Sequence, residues 1–244
     1  MYDFYRDPGA DGVGVAFSDA VAADGSVLSL GGAHGAAGRA PGLATIEADL
    51  GVPLAVVRQV HGRAVAVVDE GTELTGLAGR SADALVSTRA GVALAVRVAD
   101  CVPVLLADAA AGVIGAAHAG RVGLAGGVLQ ATVATMREAG ARAITAWIGP
   151  HICGSCYEVP DAMAAEVAAT VPGSRTRTAA GTSGLDLGAG AHGVLAGLGA
   201  QVVDVSRCTL QTPTLHSHRR DAAASGRQAG IIWRAAACRT NAAG

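Results

Sequence analysis

The chain has 244 residues, 51% of them hydrophobic and 16% charged, with a formal net charge of −2. That composition describes a folded globular chain with a sizeable core and excludes a disordered one. All 18 basic residues are arginines, scattered without a basic stripe, and aromatics amount to 3%, so nucleic acid is not an expected partner.

The first twenty residues include Asp3, Arg6, Asp7, Asp11 and Asp19, which leave no apolar core of a secretory signal. The longest apolar region, 90–107, is interrupted by Arg97, Asp100 and Pro103, so no membrane span is expected. Five cysteines, an odd number, point to reduced thiols and a cytoplasmic location. A monomer is the expectation for assembly.

Residues 13–17 and 27–30 read as strands, 31–42 as a Gly/Ala-rich loop, and 43–50 as a short helix. Residues 54–60 and 64–68 read as strands joined by a hairpin turn at His61 and Gly62. Four more apolar, β-branched runs follow at 82–88, 92–99, 102–107 and 113–117. The period then changes. Val122, Ala125, Leu129, Val133 and Met136 lie three or four apart, one face of a helix over 121–139 that Gly140 stops. A strand at 143–148, helices at 160–171 and 185–198, and strands at 202–205 and 231–233 complete the chain. Strands in groups with helices between the groups predict an α+β fold with mixed sheets, a single domain over residues 1–244.

Three residues capable of binding a metal share one address, the end of a strand: His61, Cys101 and His118. Two imidazoles and a thiolate suit Zn²⁺, and three protein ligands leave a fourth position open, as catalytic zinc requires. The alternative is a buried small Cys and two satisfied loop histidines. Next to them, 118–123 (HAGRVG) joins a strand to a helix start, where backbone N–H groups and Arg121 suit an anion. The same glycines equally permit tight helix–sheet packing. The polar stretch 216–221 (HSHRRD) reads as a solvated surface ahead of a substrate clamp, although Arg219 and Arg220 match phosphate geometry. Cys153 and Cys156 form a C-x-x-C, the pattern of a redox pair or of half a zinc site completed by Cys208 and Cys238; the spacing favours structural or adventitious cysteines.

Six ordered segments carry a resemblance: RQVHG at 58–62, ADALV at 82–86, ADCVP at 99–103, AHAG at 117–120, IGP at 148–150 and CYEV at 156–159. Together they resemble the laccase-domain (YfiH-type) family, described as polyphenol oxidoreductases and as purine nucleoside phosphorylases, over about residues 52–233. The resemblance implies a zinc site on His61, Cys101 and His118, with copper as the alternative ion. It also implies phosphorolysis of adenosine, inosine, guanosine and methylthioadenosine, with adenosine deamination as a further activity. Purine nucleosides and phosphate are then the partners, and the fold is a layered α/β/β/α arrangement. Arg58, Arg121, Arg219 and Arg220 become candidates for phosphate or base, Gln59 for the base, and Asp100 for a proton or ligand-orienting role. The chain departs from the family pattern at 117–123, where AHAGRVG stands for AHAGWRG, and at 215–222, where LHSHRRDA lacks the usual aromatics.

Rival readings use the same residues. A multicopper oxidase needs about ten histidines in paired motifs, judged by ligand preference, and this chain has seven. A cysteine hydrolase would use Cys101 as nucleophile and His118 as base, which leaves His61 unexplained. A zinc-stabilised binding module and a peptidoglycan-precursor editing enzyme are further alternatives.

Overall fold

The computed structural model describes residues 1–31 and 40–235. The chain opens with an antiparallel pair, β1 (Tyr2–Arg6) and β2 (Val13–Ser18), then helix α1 (Pro41–Leu50). Short β3 (Leu54–Ala55) and β4 (Val65–Val68), a helical turn α2 (Leu74–Leu77) and β5 (Ala84–Ser87) follow. Three strands run in succession: β6 (Ala93–Val98), β7 (Val102–Asp108) and β8 (Val113–Ala119). Helices α3 (Arg121–Ala125) and α4 (Val128–Glu138) lead to β9 (Thr145–Ile148) and α5 (Asp161–Thr170). The hairpin β10 (Arg175–Arg177) and β11 (Ser183–Leu185), α6 (Leu187–Gly197), β12 (Gln201–Asp204), α7 (His218–Asp221) and β13 (Gln228–Arg234) complete it.

Two mixed sheets carry the fold. One has the order β1-β2-β13-β6-β3, and the other β12-β9-β7-β8-β5-β4. In each, an antiparallel centre ends in a parallel pair: β3 with β6, β4 with β5, and β12 with β9. Alternation along the strands assigns the layers. On β7, Val102, Val104 and Leu106 face α4, α5 and α6, whereas Leu105 and Ala107 face the other sheet. There they meet Val15 and Phe17 of β2 and Leu94 and Val96 of β6. The outer face of that sheet packs Ala93, Ala95 and Ile231 on Leu43 and Ile46 of α1. The result is the expected α/β/β/α arrangement, with one shared interior and hence a single domain. No helix among the described residues is long and apolar enough to cross a membrane.

Several local expectations change. Residues 54–60 and 64–68 do not make a hairpin, because β3 pairs with β6 in one sheet and β4 with β5 in the other. Between them Arg58 bridges to Ser81, and His61 takes a left-handed backbone (φ 59°) instead of a two-residue turn. The helix expected over 121–139 is two, since Gly126 and the left-handed Gly127 (φ 89°) break it. Residues 27–30 form no strand; Val27 only bridges to Val21. Most of the 31–42 loop lies outside the described residues, as does Cys238. Strand β1 and the β10–β11 hairpin were not legible, being short and partly exposed.

Candidate metal centre

The β6–β7 connection crosses from one sheet to the other, and Cys101 sits in that crossing. His118 lies inside β8, paired in register with Pro103 of the adjacent β7. His61 arrives from the segment beyond β3. The three ligand atoms lie within 4.8 Å of one another. Cys101 Sγ is 3.8 Å from His61 Nε2, and the two imidazoles meet edge to face with centroids 4.7 Å apart. Two ligands of one tetrahedral zinc stand about 3.6 Å apart for ordinary Zn–S and Zn–N lengths, so the spacing fits.

The space between the ligands is kept open by Gly120. A Cβ there would stand 2.8 Å from His61 Cδ2, 3.0 Å from Cys101 Sγ and 3.6 Å from His118 Nε2. A side chain there would push the ligands apart.

A residue that the sequence reading gave no role anchors the centre. Asp83, fully buried at the start of the 82–86 run, accepts from His118 Nδ1 at 2.9 Å. It also accepts the backbone N–H groups of Val60 (3.2 Å), His61 (2.8 Å) and Gly62 (2.6 Å). One carboxylate thus fixes the ring of one ligand and the backbone of another. This leaves His118 Nε2 facing the sulfur, the usual outer partner of a metal-binding imidazole. Burial would raise the Asp83 carboxyl, but the His118 hydrogen bond and the N–H groups outweigh it and hold it below the carboxylate range. In the sequence it was a lone acid in an apolar run, within the 82–86 segment (ADALV) that contributes to the resemblance, with no role attached.

The metal-free electrostatics couple the ligands. Burial opposes ionisation of Cys101, yet the His118 and His61 rings bring its thiol down to about 6. Burial likewise opposes the His118 cation, but the Cys101 sulfur and Asp83 raise it to about 9. The sulfur is therefore a thiolate near neutrality, the form that binds metal.

The other expected residues divide. Asp100 has a left-handed backbone (φ 84°) and accepts from Thr209 Oγ1 and the Arg219 N–H, both at 2.6 Å. Its carbonyl accepts the Ile152 N–H at 3.0 Å, so it ties two later segments to the Cys101 turn. Arg219 lies over the Tyr157 ring, 5.0 Å from the centroid. Burial raises the Tyr157 phenol, Cys101 adds to that, and Arg121 and Arg219 oppose it, so these side chains share one wall. Arg220 parts from Arg219: it donates to the carbonyls of Thr209 and Leu215 and to the Asp221 carboxylate, bracing the loop. Arg58 donates to Ser81 Oγ, and the Gln59 amide pairs with both peptide groups of Arg97. Those two contacts extend the sheet edge.

Arg97 and Arg227, partly buried, have no carboxylate partner among the described residues. Burial lowers the Arg227 guanidinium, while Cys101 and Asp100 pull it up. Tyr157 lay in the CYEV segment and Arg227 just beyond the 216–221 polar stretch, but like Asp83 neither was given a role by the sequence.

Comparison with known proteins identifies the family. Residues 40–235 match the family model described as "Multi-copper polyphenol oxidoreductase laccase". The chain belongs to that family. It is 48% identical over 180 residues, 72% of each chain, to a purine nucleoside phosphorylase of Corynebacterium glutamicum. It is 49% identical over 180 residues, again 72% of each, to one from Streptomyces griseus. A solved Neisseria meningitidis protein superposes with a TM-score of 0.79 at 30% identity, over 96% of this chain and 99% of that one. The YfiH protein of Bacillus licheniformis shares the fold, with a TM-score of 0.82 at 24% identity, covering 96% and 100%.

Proposed function

We propose that the protein catalyses phosphorolysis of purine nucleosides, namely adenosine, inosine, guanosine and methylthioadenosine, with deamination of adenosine as a second activity and zinc as its metal. The observation that carries this reading is the convergence of His61, Cys101 and His118 beside Gly120, with Arg227 felt by the Cys101 sulfur and Arg121 and Arg219 by the neighbouring Tyr157. The relatives named purine nucleoside phosphorylase support the substrate class.

Zinc held by His61, Cys101 and His118 would supply Lewis-acid polarisation of a substrate oxygen. In phosphorolysis a phosphate oxygen bonds to ribose C1′ as the C1′–N9 bond breaks, and the departing purine takes the electron pair and a proton. Guanidinium groups suit the phosphate because they offer paired donors and keep their charge. Arg121, Arg219 and Arg227 fill that role in this reading, and Tyr157 offers an aromatic face for the purine. Asp100 holds the Arg219 backbone and thereby positions it. Gln59, whose amide is bonded to the Arg97 peptide groups, and Arg58, which is bonded to Ser81, act through the segment that carries His61, and Arg220 acts through the loop it braces.

The test is to incubate inosine and adenosine with and without phosphate, using wild type and Cys101→Ala of known metal content. Ribose 1-phosphate formed only with phosphate and only by wild type is expected. Hypoxanthine release that ignores phosphate would overturn the phosphorylase reading. The Cys101–His118 ion pair favours one rival, a cysteine hydrolase, which full activity in metal-free protein would support.

Copper is the alternative ion. Against a multicopper centre, His151 and His216 are bound to the carbonyls of Gly149 and Leu28, and His218 to that of Ala222, all away from the ligand cluster.

A further inference from the structure

We propose a second metal site, made by the thiolates of Cys153, Cys156 and Cys208, that binds a thiophilic d¹⁰ ion, Zn²⁺ or Cu⁺. The three sulfurs lie within 4.8 Å of one another, although 52 residues separate Cys156 from Cys208. Two local structures bring them together. The Cys153 carbonyl accepts the N–H groups of both Cys156 and Tyr157 at 3.0 Å, a tight turn that puts the two C-x-x-C thiols on one side. Cys208 is delivered by a parallel bridge to His151, closed by His151 N–H to Arg207 O (3.1 Å) and Thr209 N–H to His151 O (3.0 Å). All three cysteines are free and partly buried, so an ion can reach them.

The surroundings favour an anionic sulfur. Cys153 N–H points at Cys208 Sγ from 3.5 Å. Three sulfurs this close cannot all ionise unless a cation sits among them. Thiolates select Cu⁺ and Zn²⁺ over hard ions, and three of them suit either ion. A disulfide would use two sulfurs and leave the third without a role.

The site adjoins the first centre without sharing a ligand with it. Cys156 precedes Tyr157, Ile152 bonds the Asp100 carbonyl, and Cys208 precedes Thr209, which holds the Asp100 carboxylate. An ion here staples the 151–157 loop to the 207–209 segment, and both reach the Cys101 turn.

The test uses reduced, metal-free full-length protein. One arm titrates Zn²⁺ against a chromophoric chelator, and the other titrates Cu⁺ against bicinchoninate under argon. Wild type is expected to take up two equivalents of one of these ions, and Cys101→Ser one. That remaining equivalent should also raise the melting temperature of Cys101→Ser. Adding Cys153→Ser and Cys208→Ser should weaken it roughly hundredfold or more, since even an outer partner of a ligand is worth up to about that much. The proposal is overturned if Cys101→Ser binds neither ion. It is also overturned if the added substitutions leave the remaining affinity unchanged. A non-reduced mass lower by the two hydrogens of a disulfide, mapped to two of these cysteines and blocking uptake, would overturn it as well. If Cys101→Ser fails to fold, His61→Ala, at an exposed ligand of the first centre, gives the same comparison, and no readout depends on nucleoside turnover.

Discussion

Asp83 and His118 stand 2.9 Å apart, carboxylate to Nδ1, and the other oxygen of the same carboxylate takes the N–H of Gly62 at 2.6 Å. Both partners are buried, so this single contact sets the ring of one ligand and the backbone beside another.

Asp83→Asn should weaken metal binding by roughly ten- to a hundredfold, the usual effect of removing such an outer partner. An amide can accept from His118 with its oxygen, but its NH₂ then faces the N–H of Gly62. The mismatch should also cost about 2 kcal/mol of stability, as an unmatched buried polar group does. Chelator competition and urea unfolding measure the two effects separately; unchanged affinity would argue that Asp83 serves folding alone.

Gly120→Ala should abolish metal binding while leaving the fold intact. Its methyl would press on the ligands themselves, 2.8 Å from His61 Cδ2 and 3.0 Å from Cys101 Sγ, and exposed His61 can swing out of its ligand position to relieve the contact. A melting temperature close to that of the metal-free wild type, with no bound metal by elemental analysis, is the expected pair of results.

Arg227→Met should raise the KM for phosphate on the order of tenfold, the equivalent of one charge-assisted hydrogen bond of about 1.5 kcal/mol. The dissociation constant of the free purine base should change little, because the lost group carries charge for an anion. A rise confined to the nucleoside KM would reassign Arg227 to the base or ribose.

Asp108 offers a test of acid stability away from the site. It is buried at the end of β7 and accepts the N–H groups of Arg142 (2.6 Å), Ala143 (2.8 Å) and Ala111 (3.0 Å). Burial would raise its carboxyl, but those donors hold it below the ordinary 3.8. A lowered folded-state pKa means that its contribution is complete above the unfolded value and is lost as pH falls through the folded one. Urea unfolding should therefore show Asp108→Asn less stable than wild type at pH 6, with the gap narrowing below pH 3.8. A gap that stays constant down to pH 2.5 would show that the charge contributes nothing.

How far these features could be read beforehand depended on their range along the chain. The unbroken apolar run at 102–107 is a property of adjacent residues, and it foretold a strand, which the structure buries on both faces. His61, Cys101 and His118 stood out because polar ligands at the ends of apolar runs are rare. The false hairpin at His61 came from the same local logic: two apolar runs around His-Gly look like a turn when the partners that compete for them, β6 and β5, lie outside the window.

The sequence by itself determined the periodicities, the α+β class and the three candidate ligands, since each is a matter of residue type and short spacing. Only the tertiary structure decided that Asp83 holds two ligand segments and that Gly120 keeps their centre open. The same holds for Arg219 parting from Arg220, and for Cys208 meeting Cys153 and Cys156. Those relationships join residues tens of positions apart, and they exist because two sheets pack face to face and bring their connecting turns to one edge.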